Sequence, residues 1–474
     1  MKTRTRFAPS PTGFMHIGNL RSALFTYLIA KHDNGDFILR IEDTDQNRKV
    51  EGAIDFIYDT FKICGLEIDE GPNNPGKYGP YVQSERISMY KKYAEELVEK
   101  GKAYYCFCTE ERLNVLRDKA EKEKVAFLYD GHCKNLTKEE IQKKLDNNED
   151  YVIRFAMPKE GISRYKDLVF GDIKVDNEVL EDMILIKSDG YPTYNFANII
   201  DDHLMEITHV TRGVEYLMST PKYNLVYDAF GWEKPEYIHL PQVNGEDGKK
   251  LSKRNGDASF IDLYKEGYLP EGIMNYLILL GWTSGDNKEI FSMEELKEKF
   301  DINRIVKSPA TYDVKKLNWV NSHYIKELSD EKLIKITLPH LKEAYNLVGK
   351  TDKWIEELII LYKNHISYGK EIINEVDLFF KDNIEIVGEE LEFMNSDESI
   401  PKTIECFREE LEQLNEFTID NIKECISNVK EKTGAKGKLL FMPIRIKITG
   451  QMHGPELPNT IHLLGKETVL NRLK

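Results

Sequence analysis

Two short stretches of the chain hold residues whose types and spacing suit the handling of a nucleotide. The first is Phe7-Ala8-Pro9-Ser10-Pro11-Thr12-Gly13-Phe14-Met15-His16-Ile17-Gly18-Asn19-Leu20, where Pro9, Pro11 and Gly13 stiffen a turn that leads into a helical pattern. A helix amino terminus presents backbone N–H groups and the positive end of a dipole, and a glycine there lets a phosphate come close. His16 and Gly18 are therefore placed to lie beneath a nucleotide. The second stretch is Gly248-Lys249-Lys250-Leu251-Ser252-Lys253-Arg254-Asn255-Gly256, four cations between two glycines, a loop that could fold over a triphosphate. Taken singly, each has a plainer explanation: a capping turn for the first, a solvated basic loop for the second.

The elements that must position these residues differ between the two halves of the chain. In the first half, short β-rich runs (Phe37 to Ile41, Tyr151 to Phe155, Ile184 to Ile186, Ile207 to Thr211, Tyr237 to Leu240) alternate with amphipathic helical stretches, which predicts an α/β domain. One helix is expected after Asn19, with Leu20, Ala23, Leu24, Tyr27 and Leu28 on a single apolar face, and another from Ser84 to a stop at Gly101. Beyond about Lys250 helix-start signals dominate. Ser292 with Glu295, like Thr137 with Glu140 earlier, fits a capping box, and Ser329 and Thr418 read as N-caps.

The chain has 474 residues, which at roughly 150 per domain predicts about three domains. Its formal net charge of -15 argues against indiscriminate coating of nucleic acid, so any RNA contact must use local basic patches. No apolar run is long enough to span a bilayer, and the amino terminus lacks the apolar stretch of a secretory signal, so a cytoplasmic location is expected. Six scattered cysteines in a chain of this size predict reduced thiols. Arg212 follows a β-rich run, at the carboxyl end where open α/β sheets bind ligands; Glu42, beside Asp43 and Asp45, reads equally well as part of a solvated acidic loop.

Taken together, His16-Ile17-Gly18-Asn19 and Lys250-Leu251-Ser252-Lys253-Arg254 resemble the paired HIGH and KMSKS motifs of the class I aminoacyl-tRNA synthetases. Arg40-Ile41-Glu42-Asp43-Thr44-Asp45, the run Gly79 to Arg86, the run Lys187 to Tyr194, and Asp201-Asp202-His203 narrow the resemblance to the glutamyl members of bacterial type. It covers essentially the whole chain. Asn19 stands where the motif has a second His, and Leu251 and Arg254 stand for Met and Ser, while both motif lysines remain. A nucleotidyltransferase would leave the helical half without a task. A noncatalytic tRNA-binding paralogue would be expected to lose a motif lysine or a substrate cation, and a glutaminyl enzyme would carry β-barrels in place of the helical carboxy terminus.

The resemblance implies an α/β fold: a Rossmann-type parallel-sheet catalytic domain (1–89 and 191–247) with an inserted acceptor-binding domain (90–190), then a linking stem-contact domain (248–328) and a mainly α-helical anticodon-binding half (329–474, divided near 381). It implies activation of glutamate by ATP with Mg2+, and transfer to tRNA(Glu). Whether tRNA(Gln) is also charged stays open, with His365 near the place where some members judge the last anticodon base. A monomer with no membrane partner is expected. ATP would be held by His16, Gly18, Asn19, Lys250, Leu251, Ser252, Lys253 and Arg254, with His16, Lys250 and Lys253 catalytic; glutamate would be held by Arg6, Ala8, Ser10, Glu42, Tyr194, Asn198 and Arg212. Some members bind zinc through Cys-x-Cys followed by Cys-x-His. Here Cys106, Cys108 and Cys133 match, but Asn135 replaces the His, so no metal ligand set is assigned and zinc is disfavoured.

Overall fold

The computed structural model describes residues 2–11, 15–45, 50–125, 127–251 and 259–474. They group into two compact units, one of residues 1–261 and 274–313, the other of residues 262–273 and 314–474.

The first unit is built on a six-stranded sheet of β1 (Arg4–Phe7), β2 (Asp36–Leu39), β5 (Ile162–Asp167), β6 (Gly171–Asp176), β8 (His209–Gly213) and β9 (Glu236–Leu240). Its order is β2-β1-β8-β9-β5-β6, parallel throughout except for the β5–β6 hairpin. A second, antiparallel sheet holds β3 (Ala103–Cys106), β4 (Val152–Phe155) and β7 (Ile184–Ile186). The β-rich runs of the sequence thus form strands, with ends shifted by a residue or two. The β5–β6 hairpin is not among the β-rich runs singled out in the sequence. It lies within the stretch expected as an insert, yet β5 hydrogen-bonds to β9 of the larger sheet.

Seven helices punctuate these strands: α1 (Ile17–His32), α2 (Ala53–Cys64), α3 (Ile87–Glu99), α4 (Glu110–Glu123), α5 (Lys138–Asp146), α6 (Tyr194–Leu204) and α7 (Thr220–Phe230). Helix α1 begins at Ile17 rather than after Asn19, with His16 as its extended N-cap and His16 O accepting from Asn19 N and Leu20 N. It is also not the one-faced helix expected. Ala23 through Ala30 are all buried, because α1 is covered by β1, β2 and β8 on one side and by the helix Met293–Lys299 on the other. The capping boxes at Thr137 and Ser292 form as expected.

The second unit is helical, with no strand among its residues. Ser329 and Thr418 cap the helices Asp330–Ala344 and Ile419–Thr433. A single hydrophobic cluster extends from Ile325 through Phe407 and Ile444 to Leu473, across the position near 381 where a division was expected. Among the described residues no helix is long and apolar enough to cross a membrane.

Candidate active site

Strand order fixes where a site can form. From β1 the chain crosses through α1 to β2 on one side, and from β8 through α7 to β9 on the other, so β1 and β8 flank the point where the winding reverses. Side chains at the carboxyl ends of such strands border a crevice that no crossover helix covers. A cavity of about 510 Å³ opens there, lined by residues from the ends of β1, β2, β8 and β9, the start of α1 and the hairpin that follows β9.

One side of the cavity is built by the start of α1. His16, Gly18 and Asn19 line it, and Gly18 is exposed with nothing within 4 Å of where a Cβ would be, so the helix end is open to a ligand. Another part of the lining comes from the hairpin Val243 to Leu251, which Leu251 N→Val243 O (3.0 Å) and Gly245 N→Lys249 O (2.8 Å) close. That hairpin brings Lys250 and Leu251 to the cavity, with Lys250 Nζ 3.9 Å from Glu215 Oε1. Ser252, Lys253 and Arg254 lie outside the described residues, as do Thr12 to Phe14 of the first motif.

Arg6, Ala8, Ser10, Glu42, Tyr194 and Arg212 line the same cavity. Asn198 does not. It lies one turn beyond Tyr194 on α6, buried, with Nδ2 donating to Tyr194 O at 2.8 Å. Glu42 belongs to no solvated loop, because it is buried against Arg40.

The two arginines expected to face the substrate have different surroundings. Arg6 donates from Nε and Nη2 to the two oxygens of Asp202, at 2.9 and 3.2 Å, and from Nη1 to Thr211 O at 3.3 Å. Asp202 also accepts from Arg40 Nη1 at 2.7 Å, and Arg40 donates to Glu42 Oε1 from Nη2 at 2.9 Å and Nε at 3.3 Å. Asp201 pairs with Arg86 at 2.7 Å. The result is a buried, balanced lattice of three guanidiniums and three carboxylates. Burial alone would raise Asp202, but Arg6 and Arg40 outweigh it and hold the carboxyl below its usual range. Burial dominates at Glu42, whose pKa is pushed up despite Arg40 and Arg6.

Arg212 stands apart from this lattice. It is 7% exposed, and among the described residues no carboxylate lies within ion-pairing distance of it. Its guanidinium packs against the rings of Tyr216, Tyr223 and Tyr237, with centroid distances of 5.3, 4.7 and 5.5 Å. It donates to His239 Nε2 at 3.2 Å and to Thr220 Oγ1 at 2.6 Å. A buried cation without a counter-ion in contact, on the wall of a cavity, suits an anionic ligand.

Arg40 and Asp202 stand within the sequence motifs but carry no assigned role there, and nothing in the sequence singles out Arg21 or His239. A charged residue inside a β-rich run, as Arg6 and Arg40 are, was the available signal, since burial obliges it to find a partner.

A second cluster lies in the same unit. The thiols of Cys106, Cys108 and Cys133 are within 4.8 Å of one another, and Tyr129 Oη is 3.3 Å from both Cys106 Sγ and Cys108 Sγ. Hydrogen bonds from Cys133, then from Tyr129, lower Cys106 against the effect of burial, while Cys133 is pushed up. Zinc was disfavoured for want of a fourth ligand at Asn135. The fold places Tyr129 Oη beside two of the thiols, so the three sulfurs, with that phenol oxygen next to them, are the groups that could hold an ion here.

The chain matches the family model of the class I tRNA synthetases (E and Q), catalytic domain, over residues 2–319, and that of an anticodon binding domain over residues 332–474. It is 52% identical to a glutamate–tRNA ligase of Clostridium botulinum (strain Loch Maree / Type A3), over 100% of this chain and 97% of the relative. A glutamate–tRNA ligase of Clostridioides difficile (strain 630) is 45% identical, with 100% and 98% covered. Among solved structures, a glutamate-tRNA synthetase from Elizabethkingia anophelis superposes with a TM-score of 0.89 at 37% identity, covering 100% of this chain and 99% of that one. A glutamate tRNA ligase from Elizabethkingia meningosepticum, in complex with its amino acid, gives 0.87 at 37% identity, with 100% and 98% covered.

Proposed function

The chain belongs to the class I tRNA synthetases of the E and Q type, and from that premise we propose that it ligates glutamate to tRNA in two steps at this cavity. The observation that carries the reading is that the helix end at His16 and Gly18, the Lys250 hairpin, and the cation Arg212 all border one space.

In the first step a glutamate α-carboxylate oxygen attacks the α-phosphorus of ATP. The new O–P bond forms as the bond to pyrophosphate breaks, and no general base is required because the nucleophile is already ionised. Negative charge grows on phosphate oxygens, which the α1 amino terminus, His16 and Lys250, all on the lining of the cavity, would meet. Lys253, Ser252 and Arg254 join them on the strength of the motif alone. Magnesium, carried chiefly by the phosphates and water, would add further charge neutralisation. In the second step the 2'-hydroxyl oxygen of the terminal adenosine attacks the activated carbonyl carbon. An ester forms, AMP departs, and the hydroxyl proton passes to its phosphate or to water.

Selection of glutamate rests on Arg212 for the side-chain carboxylate and Glu42 for the ammonium group. Glu42 is suited to this because Arg40 occupies only its Oε1 among the described residues. Arg6 contributes mainly by holding Asp202 and Arg40, and with them Glu42, in place. A glutamine amide cannot accept two charge-assisted bonds from a guanidinium, which costs about 3 kcal/mol. The partner tRNA is that for glutamate, the enzyme works in the cytoplasm as a monomer, and the helical unit reads the anticodon.

ATP-dependent charging of glutamate and glutamine tRNA transcripts, each with glutamate and with glutamine, tests this. Glutamate esterified to its tRNA is the expected product, and glutamine as the preferred amino acid would refute it. Pyrophosphate exchange should require tRNA; exchange in its absence would contradict that carry-over from the family.

A further inference from the structure

Behind Arg212, away from the cavity, a buried pair has no part in the reaction just described. His239 on β9 and Asp167 at the end of β5 are both 0% exposed, and His239 Nδ1 lies 2.6 Å from Asp167 Oδ2. The Asp167 carboxylate is fully committed. Its Oδ1 accepts from Val169 N at 2.9 Å and Phe170 N at 2.7 Å, and its Oδ2 also accepts from His239 N at 3.2 Å. An ionised carboxylate can only accept, so the imidazole proton must sit on Nδ1. The neutral ring then turns a lone pair on Nε2 toward Arg212, whose Nε lies 3.2 Å away. Thr220 Oγ1 donates to Tyr216 O at 2.9 Å and accepts from Arg212 Nη2 at 2.6 Å, giving the guanidinium a second fixed acceptor.

We propose that Asp167 and His239 are positioning residues for Arg212: Asp167 sets the imidazole tautomer, and the imidazole aims the guanidinium at the anionic end of the amino acid. The inference rests on the reading that Arg212 receives the glutamate side chain.

A comparison with Arg6 shows what the interposed ring achieves. Asp202 touches Arg6 directly and takes two of its N–H groups, so that cation is neutralised in place. Asp167 acts on Arg212 across an imidazole that takes only the Nε N–H, and with Thr220 taking one N–H of Nη2 the remaining N–H groups of the fork are left for a ligand. A protonated His239 would turn a second donor and a second positive charge toward Arg212. Burial foremost, with Arg212 beside it, pushes His239 below its ordinary range against the opposing pull of Asp167, which favours the neutral ring.

The test is Asp167→Asn, nearly isosteric. Its amide oxygen can still accept from Val169 N and Phe170 N while its NH2 donates to Nδ1, which moves the ring proton to Nε2 and points it at Arg212. The expected result is a rise in the KM for glutamate of about tenfold or more, with the KM for ATP within about twofold. Histidine 15N shifts should report the tautomer exchange directly. His239→Gln, whose amide oxygen can reach the position of Nε2, should recover most of the glutamate affinity that His239→Leu loses, and it carries the test should Asp167→Asn not fold. An unchanged KM for glutamate in both Asp167→Asn and His239→Leu, or equal rises for glutamate and ATP, would overturn the relay. Arg212→Gln, assayed in parallel, separates the two levels. If it leaves the KM for glutamate unchanged, the reading of Arg212 fails; if it raises that KM while Asp167→Asn does not, only the relay fails.

Discussion

At the scale of single residues, two arginines of the same strand-end type have opposite environments, and this difference decides their roles. Arg6 is locked to Asp202, and Arg212 is cushioned by three tyrosine rings with no carboxylate partner among the described residues. Arg212→Gln should therefore lower kcat/KM for glutamate by about a hundredfold, the loss of roughly 3 kcal/mol of charge-assisted bonding, and narrow the preference over glutamine. Steady-state kinetics with both amino acids measures this, and an unchanged ratio would remove Arg212 from the specificity pocket. Lys250→Ala should slow pyrophosphate exchange by about a hundredfold while tRNA binding falls much less; equal losses in the two assays would argue against a role on the phosphates. The types of these residues could be read in the sequence. Which arginine was already paired could not, because Asp202 lies almost two hundred positions from Arg6 and meets it only through the β1–β8 pairing.

At the scale of elements, α1 is clamped by Arg21, which donates from Nε to Leu280 O at 2.6 Å and from Nη1 to Pro241 O at 2.9 Å. Gly281 makes room for it, since a Cβ there would lie 2.6 Å from Arg21 Nη2, and its φ of +118° is one that other residues rarely adopt. Gly281→Ala should cost about 2 kcal/mol in urea unfolding and raise the KM for ATP by displacing the clamp; a variant as stable as the parent would show that the clamp yields easily. The thiol cluster joins β3, the loop after it and the short turn around Cys133, elements that sequence distance kept apart. Its donor set predicts uptake of a single zinc per chain by metal analysis, abolished in Cys108→Ser and weakened at least about tenfold in Tyr129→Phe. Absence of uptake by the parent would leave the cluster as hydrogen-bonded thiols.

At the scale of the whole molecule, the buried lattice ties folding of the first unit to pH. Asp202 titrates below its unfolded value, so the stability it contributes is complete above about pH 3.9 and is lost as pH falls through its lower folded pKa. Asp202→Asn should cost about 3 kcal/mol near neutrality, and the gap between variant and parent in urea unfolding should close in acid. A gap that stays constant down to pH 3 would mean that the lattice does not couple to protons. Since the net charge is -15, tRNA must meet local cations, and its affinity should fall at least about tenfold between roughly 50 and 200 mM salt. By itself the sequence determined five of the strands, the helix caps, the helical second half and the two motifs, because periodicity, capping and glycine geometry act over a few neighbouring residues. Only the tertiary structure decided that the β5–β6 hairpin joins the main sheet, that Tyr129 closes the thiol cluster, and that Asp167 stands behind Arg212. Those contacts depend on strand order, and strand order is set by the burial of whole faces against one another, which no short window of sequence contains.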